Sequence, residues 1–364
     1  MKALQKEQSI DLQIIATGMH CSPEFGLTYK VIEKDGFKID KKVEMLLSSD
    51  TPSSISKSTG LGIIGFSDAY TQLKPDIVVV LGDRYELLAA STAALFARIP
   101  IAHISGGETT EGAFDEAIRH SITKMAWWHF VAAREYRNRV IQLGENPNRI
   151  FNVGGMGVDG IKKTKLLRKP NLERKIKFKF IKRNLLVTFH PVTFENKTSK
   201  KQFKELLNSL DKLKDTNIIF TLSNSDTNGR IINSMILDYV KCHFSNTIAF
   251  TSMGQINYLS ALQFVDCVIG NSSSGLAEAP SFKIGTINIG DRQKGRLRSE
   301  SVIDCMPEQK SITAAIEKLY SEDFQNKLKT VENPYGNGSA TDKIIEIIKS
   351  KSLPENIKKS FYNV

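Results

Sequence analysis

The run Asp76–Leu81 (DIVVVL) constrains this chain more than any other segment. Continuous β-branched residues between Pro75 and Gly82 suit a strand covered on both faces, as strands of parallel sheets usually are. A helical stretch, YELLAASTAALFARI, follows at once, and Pro100–Ile104 reads as the next strand. The same alternation recurs in both halves. Asp11–Thr17 is a short strand ending at Gly18, and Asp115 opens a helix expected to run through DEAIRHSITKMAWWHF, with Ile118, Ile122, Met125, Ala126 and His129 on one face. In the second half Leu185–Phe189, Asn217–Leu222, Val265–Ile269 and Thr286–Ile289 read as strands. The expected class is α/β, with two βαβ domains joined near residues 160–183.

At 364 residues the chain is long enough for two cores. It has no apolar run of bilayer length, and its start, MKALQKEQSIDLQ, lacks the apolar region of a signal peptide, so a cytoplasmic setting without membrane partners is expected. The four cysteines (Cys21, Cys242, Cys267, Cys305) lie far apart and read as ordinary thiols rather than a zinc site or disulfide framework. The formal charge of +11 points to anionic partners. Its excess gathers in residues 162–183, where Lys and Arg mix with Leu, Ile and Phe. That mixture fits an exposed linker or amphipathic helix better than a nucleic-acid patch, and no nucleic-acid partner is expected.

Position singles out the candidate site. Asp83, Arg84, Glu108, His190, Asn224, Ser272, Ser273 and Arg292 all fall at or just after the carboxyl end of an expected strand. That edge of an open α/β sheet is where ligands bind, and a cleft between the two domains is expected there. Gly270–Gly275 (GNSSSG) reads as a phosphate cradle, its serines also suited to capping the helix that follows. Glu278, expected on the first turn of that helix, could accept two ribose hydroxyls. In Gly290–Arg298 (GDRQKGRLR), Arg292 lies nearest the strand end and suits diphosphate oxygens, whereas Arg298 reads as a solvated charge. His190 before Pro191 is either an acid–base group or a structural strand-end residue, and Asp83, Glu108 and Asp115 favour the former. Asp115 and Arg119, one turn apart, could simply pair, while His20 and His129 read as structural. The chain has neither a P-loop nor a G-x-G-x-x-G fingerprint, which disfavours NTPase and dehydrogenase chemistry.

These motifs resemble a known family. LGDRYE (81–86), HISGGE (103–108), DEAIRHSITK (115–124), FHPVT (189–193), GNSSSG (270–275) and GDRQKGR (290–296) are similar to those of hydrolysing UDP-N-acetylglucosamine 2-epimerases, in the same order over nearly the whole chain. The resemblance implies a GT-B-like fold with residues 1–162 on the sugar side, 163–345 on the UDP side, and 346–364 as a C-terminal helix returning to the first domain. It implies that Ser272 and Ser273 bind the diphosphate, Glu278 the ribose, and Arg84 and Arg292 the phosphate charge. His190 would lie beside the pyrophosphate, with Asp83, Glu108 and Asp115 facing the sugar, and Asn224 would also contact the UDP-sugar. No metal or redox cofactor is implied, and a homo-oligomer is. The implied reaction eliminates UDP to a 2-acetamidoglucal and then adds water, releasing the free 2-epimer for nonulosonic acid synthesis. A non-hydrolysing epimerase, a GT-B glycosyltransferase and a UDP-sugar binder without turnover are the alternatives. Two departures stand out. Some relatives carry an acidic residue in place of Ser105, and the family pattern includes a further central strand and a G-[ST]-R-A-[ED]-Y loop before Lys2–Gln13, so the true start is expected upstream.

Overall fold

The computed structural model describes residues 1–49, 51–111, 113–191, 198–223 and 229–364. They form two compact α/β units. One comprises residues 1–108, 114–156 and 339–364, and the other residues 109–113 and 157–338.

The second unit carries a six-stranded parallel sheet. Its strands, numbered along the whole chain, are β7 (Arg183–Thr188), β8 (Thr216–Thr221), β9 (Thr247–Phe250), β10 (Cys267–Gly270), β11 (Gly285–Ile289) and β12 (Val302–Cys305). Their spatial order is β9-β8-β7-β10-β11-β12, so the winding reverses between β7 and β10. Helices cover both faces. Leu185, Val187 and Ile269 pack towards Phe203, Ile232 and Ile316, while Leu186 and Val268 pack towards Leu172, Leu259 and Leu262. The basic stretch supplies part of this cover as the amphipathic helix Lys169–Ile176, which buries Leu172 and Ile176.

The first unit holds two shorter parallel sheets, β1 (Ile15–Thr17) with β2 (Lys41–Val43), and β3 (Val78–Leu81), β4 (Ile101–Ile104), β5 (Trp128–Val131) and β6 (Ile150–Asn152) in sequential order. Val43 and Val80, one from each sheet, pack on the same helical layer through Phe66, Ala89 and Ala93. The expectation that β3 is covered on both faces fails. Val79 and Leu81 are 40% and 52% exposed, because β3 ends its sheet and has β4 as its sole strand partner among the described residues. The helix from Asp115 also stops sooner than its sequence suggests. Ala126 leaves it in extended conformation, and Trp128–Val131 becomes β5, so His129 lies in a strand and not on the helix face with Ile118. Aromatic residues suit a buried pleated surface, and here tertiary burial overrides helical periodicity.

The tail after the helix Ala340–Ser350 has no regular element, yet it is tied to its unit by charge. Lys359 Nζ donates to the carbonyls of Lys124 (2.6 Å) and Ala126 (2.8 Å) and to both carboxylate oxygens of Glu145 (2.9 Å each). Glu145 is buried and also receives Lys124 (2.6 Å) and His129 Nε2 (3.1 Å). Burial raises its pKa, but the donors from His129, Lys124 and Lys359 outweigh that and hold the carboxyl at about 2. Lys359→Met should therefore cost roughly 2 kcal/mol, the scale of charged hydrogen bonds lost around a buried carboxylate. Urea unfolding measures this, and a loss below about 0.5 kcal/mol, the scale of neutral surface substitutions, would show that the tail is not a structural tie.

Candidate active site

In the first unit the loop after β4 is built for close approach. Ser105 and Gly107 both take left-handed backbone (φ 68° and 75°), and a side chain at Gly107 would collide with the Tyr136 carbonyl. Gly106 sits against Thr123 Oγ1 (3.0 Å) and His103 Nδ1 (3.1 Å), measured from where a Cβ would stand. The double glycine of HISGGE thus lets Glu108 leave the sheet edge beside the helix Asp115–Met125. His103 is fully buried in β4, with Nε2 donating to the Gly82 carbonyl (2.8 Å) and Nδ1 accepting from Thr123 Oγ1 (3.2 Å). It thereby fixes the loop that carries Asp83.

Arg119 draws these loops together. Its guanidinium, 1% exposed, donates to the Glu108 carbonyl (3.0 Å), to Glu116 Oε2 (2.8 Å) and to Asp83 Oδ2. A guanidinium can serve several acceptors in fixed directions. Asp83 and Glu108, on loops, and Asp115, on the first turn of the helix, belong to one unit, with Glu108 and Asp115 buried and Asp83 half-buried. Arg119 thus pairs across the unit with Asp83 as well as with Glu116 on its own helix. Arg84 Nε lies 3.4 Å from Glu86, on the first turn of the helix Tyr85–Phe96.

In the second unit His190, Ser272 and Ser273 follow β7 and β10, the pair of strands at which the winding reverses, and Arg292 follows β11. Ligands bind at such switch points. Gly270 has φ 136°, and any Cβ there would strike the Thr188 carbonyl, so only glycine lets the two strand ends come this close. Ser272 caps the short helix Ser273–Ala277, its Oγ accepting from Ser274 N (3.4 Å). The capping reading therefore holds, whether or not the loop also binds phosphate. Glu278 lies at the carboxyl end of this helix and not on its first turn, because the helix spans only five residues. Burial pushes its carboxyl above the usual range against a hydrogen bond from Ser274, whose Oγ also meets the Tyr258 hydroxyl at 2.5 Å. Arg292 donates to the Asn271 carbonyl (3.1 Å) and Arg296 to the Thr109 carbonyl (3.0 Å). His190 Nδ1 is 3.2 Å from Ser223 Oγ. Asn224 lies outside the described residues.

Sequence reasoning missed three buried groups, Arg119 as a hub, His103 and Asn271. Each looks like an ordinary polar residue until the strands are placed. The position of His103 inside a short apolar strand, directly before the double glycine, is the one available signal.

A sequence profile described as UDP-N-acetylglucosamine 2-epimerase matches residues 2–349. The chain belongs to the UDP-N-acetylglucosamine 2-epimerase family. It is 45% identical to a Campylobacter jejuni protein named GDP/UDP-N,N'-diacetylbacillosamine 2-epimerase (hydrolyzing), over 99% of this chain and 94% of that one. It is 39% identical to the Escherichia coli polysialic acid biosynthesis protein P7, over 99% and 92%. Among solved structures it is similar to a Neisseria meningitidis UDP-GlcNAc 2-epimerase bound to UDP-GlcNAc, with TM-score 0.79 and 21% identity over 96% and 95% of the two chains. The fold is thus GT-B-like, and the chain is an epimerase enzyme. No helix among the described residues is long and apolar enough to cross a membrane.

Proposed function

We propose that this epimerase is of the hydrolysing type and acts on a UDP-linked 2-acetamido sugar, with the 2,4-diacetamido-2,4,6-trideoxyglucose (N,N'-diacetylbacillosamine) form preferred. The observation that carries the reading is the division of chemistry between the units. Arg119 gathers the carboxylate-bearing loops of the first, while the switch point of the second presents imidazole, hydroxyl and guanidinium groups. The 45% identity to a diacetylbacillosamine epimerase supports the choice of sugar.

A carboxylate removes the proton at sugar C2, the electron pair forms the C1–C2 double bond, and the C1–O bond breaks with its pair leaving on UDP. Water then adds hydroxyl to C1 and hydrogen to C2 from the opposite face, giving the free 2-epimer. Asp83, which Arg119 holds, Glu108 and Asp115 are the carboxylates for this proton transfer. His190, Ser272, Ser273 and Arg292 stabilise the departing diphosphate, with Arg84 and Asn224 as further UDP-sugar contacts. Glu278 binds the ribose. A cytoplasmic homo-oligomer feeding nonulosonic acid synthesis belongs to the same reading.

Incubation with UDP-N-acetylglucosamine and with UDP- and GDP-linked diacetylbacillosamine in D2O, followed by NMR, tests it. The expected result is UDP together with a free 2-epimer deuterated at C2, formed fastest from a diacetamido substrate. A nucleotide-linked epimer as final product would show the non-hydrolysing reaction instead.

A further inference from the structure

Asn271, the first residue after β10, is wholly buried and uses every hydrogen-bonding group it has. Its side-chain Oδ1 accepts from the His190 backbone N–H at 2.7 Å, and Nδ2 donates to the His190 carbonyl at 2.7 Å. Its own N–H donates to the Thr188 carbonyl (3.1 Å). Its carbonyl receives Arg292 (3.1 Å) and Gln293 Nε2 (2.9 Å), and the Gln293 side chain is itself buried. One residue therefore joins the ends of β7 and β10 to the loop after β11.

We infer that Asn271 is a positioning residue that sets His190 and Arg292 in place together; this rests on the reading of those two as diphosphate-side groups. The bracket holds both the N–H and the C=O of a single residue, so the His190 backbone cannot turn without breaking two bonds. Pro191 narrows its freedom further, and Ser223 takes Nδ1, which fixes the ring. Only a carboxamide does this work. It offers a donor and an acceptor side by side, whereas a carboxylate of the same size offers two acceptors, one of them facing the His190 carbonyl. Arg292 donates to the backbone carbonyl of the same residue, so a shift at position 271 moves the imidazole and the guanidinium at once. Buried networks of this kind act as units, and displacements near 1 Å at a reacting centre cost about a hundredfold in rate.

The test uses the full chain with Asn271→Asp, Asn271→Ala, His190→Ala and the double variant Asn271→Ala/His190→Ala. UDP release gives kcat, KM and the pH profile, and calorimetry with UDP alone gives affinity. We expect both Asn271 variants to lose about a hundredfold in kcat, with the pH profile displaced and UDP bound about tenfold more weakly. The double variant should lose less than the product of the two single losses, since part of the Asn271 effect runs through His190 and only the part that runs through Arg292 is left to add. Wild-type kcat and pH profile in Asn271→Asp, or kcat losses that multiply in the double variant, overturn the inference. So does failure of both Asn271 variants to fold, which would make the residue purely structural. Full activity in His190→Ala instead overturns the reading of His190 on which the inference stands.

Discussion

Replacing Arg119 by methionine should destabilise the protein by about 3–5 kcal/mol and reduce turnover by about a hundredfold. Methionine fills a similar length and adapts to irregular space, so the loss is one of charge and hydrogen bonds more than of volume. Arg119 is buried among Asp83, Glu116 and the Glu108 carbonyl. Without it Asp83 and Glu116 lose the guanidinium they share, and a buried carbonyl loses a donor. Removing one partner of a buried ion pair typically costs 3–5 kcal/mol, because the other charge stays uncompensated. Turnover suffers separately, since the loops bearing Asp83 and Glu108 lose their common tie and misplaced reacting groups are penalised steeply. Arg119→Lys should be intermediate in both respects, keeping the charge but not the simultaneous reach to three acceptors. Urea unfolding and UDP-release assays on the two variants check this. If Arg119→Met lies within about 1 kcal/mol of wild type, the hub is not what holds these loops. UDP affinity in folded Arg119→Lys should stay close to wild type, because the UDP-side groups assigned above, Arg84 apart, belong to the other unit.

How much of this could be read beforehand depended on how local each signal was. The βαβ alternation and the polar strand ends are short-range patterns, and Asp83, Glu108, His190, Ser272 and Arg292 stand after strands as their sequence positions implied. What failed was set by tertiary context. Trp128–Val131 continues an amphipathic helical period, yet it is drawn into the sheet by burial between β4 and β6. Val79 looked like an interior strand residue because periodicity cannot tell which strands have neighbours. Glu278 was displaced from a first turn to a helix end because a helix of five residues gives no periodic signal. The linking roles of Asn271 and Arg119 could not be recognised. Their partners lie 81 positions away at His190 and 36 positions away at Asp83, and nothing in either local sequence marks the pairing.

Stability should fall by about 3 kcal/mol as pH is lowered from 6.5 to 4, owing to His103 alone. Complete burial drives its imidazole from 6.5 down to about 4, against the hydrogen bond to Gly82, and the nearby His129 and His120 push the same way. Gly82 offers only a carbonyl, so Nε2 carries the proton and Nδ1 accepts from Thr123 in a neutral ring. Above pH 6.5 neither state takes up a further proton. Below it the unfolded chain binds one that the folded chain refuses, so stability drops until the folded ring also titrates near 4, and it levels off there. A depression of this size corresponds to about 3 kcal/mol. His129, whose pKa burial also lowers, adds to the decline. Glu145, held at about 2, stays ionised through this window and yields its contribution only as pH falls from about 4.5 towards 2. The two groups are thus separable by pH. His103→Gln, whose amide can donate to Gly82 and accept from Thr123, should flatten the slope between 6.5 and 4 and leave the lower range unchanged. Urea unfolding at half-unit pH steps reads this directly, and an undiminished slope in His103→Gln would place the acid sensitivity elsewhere.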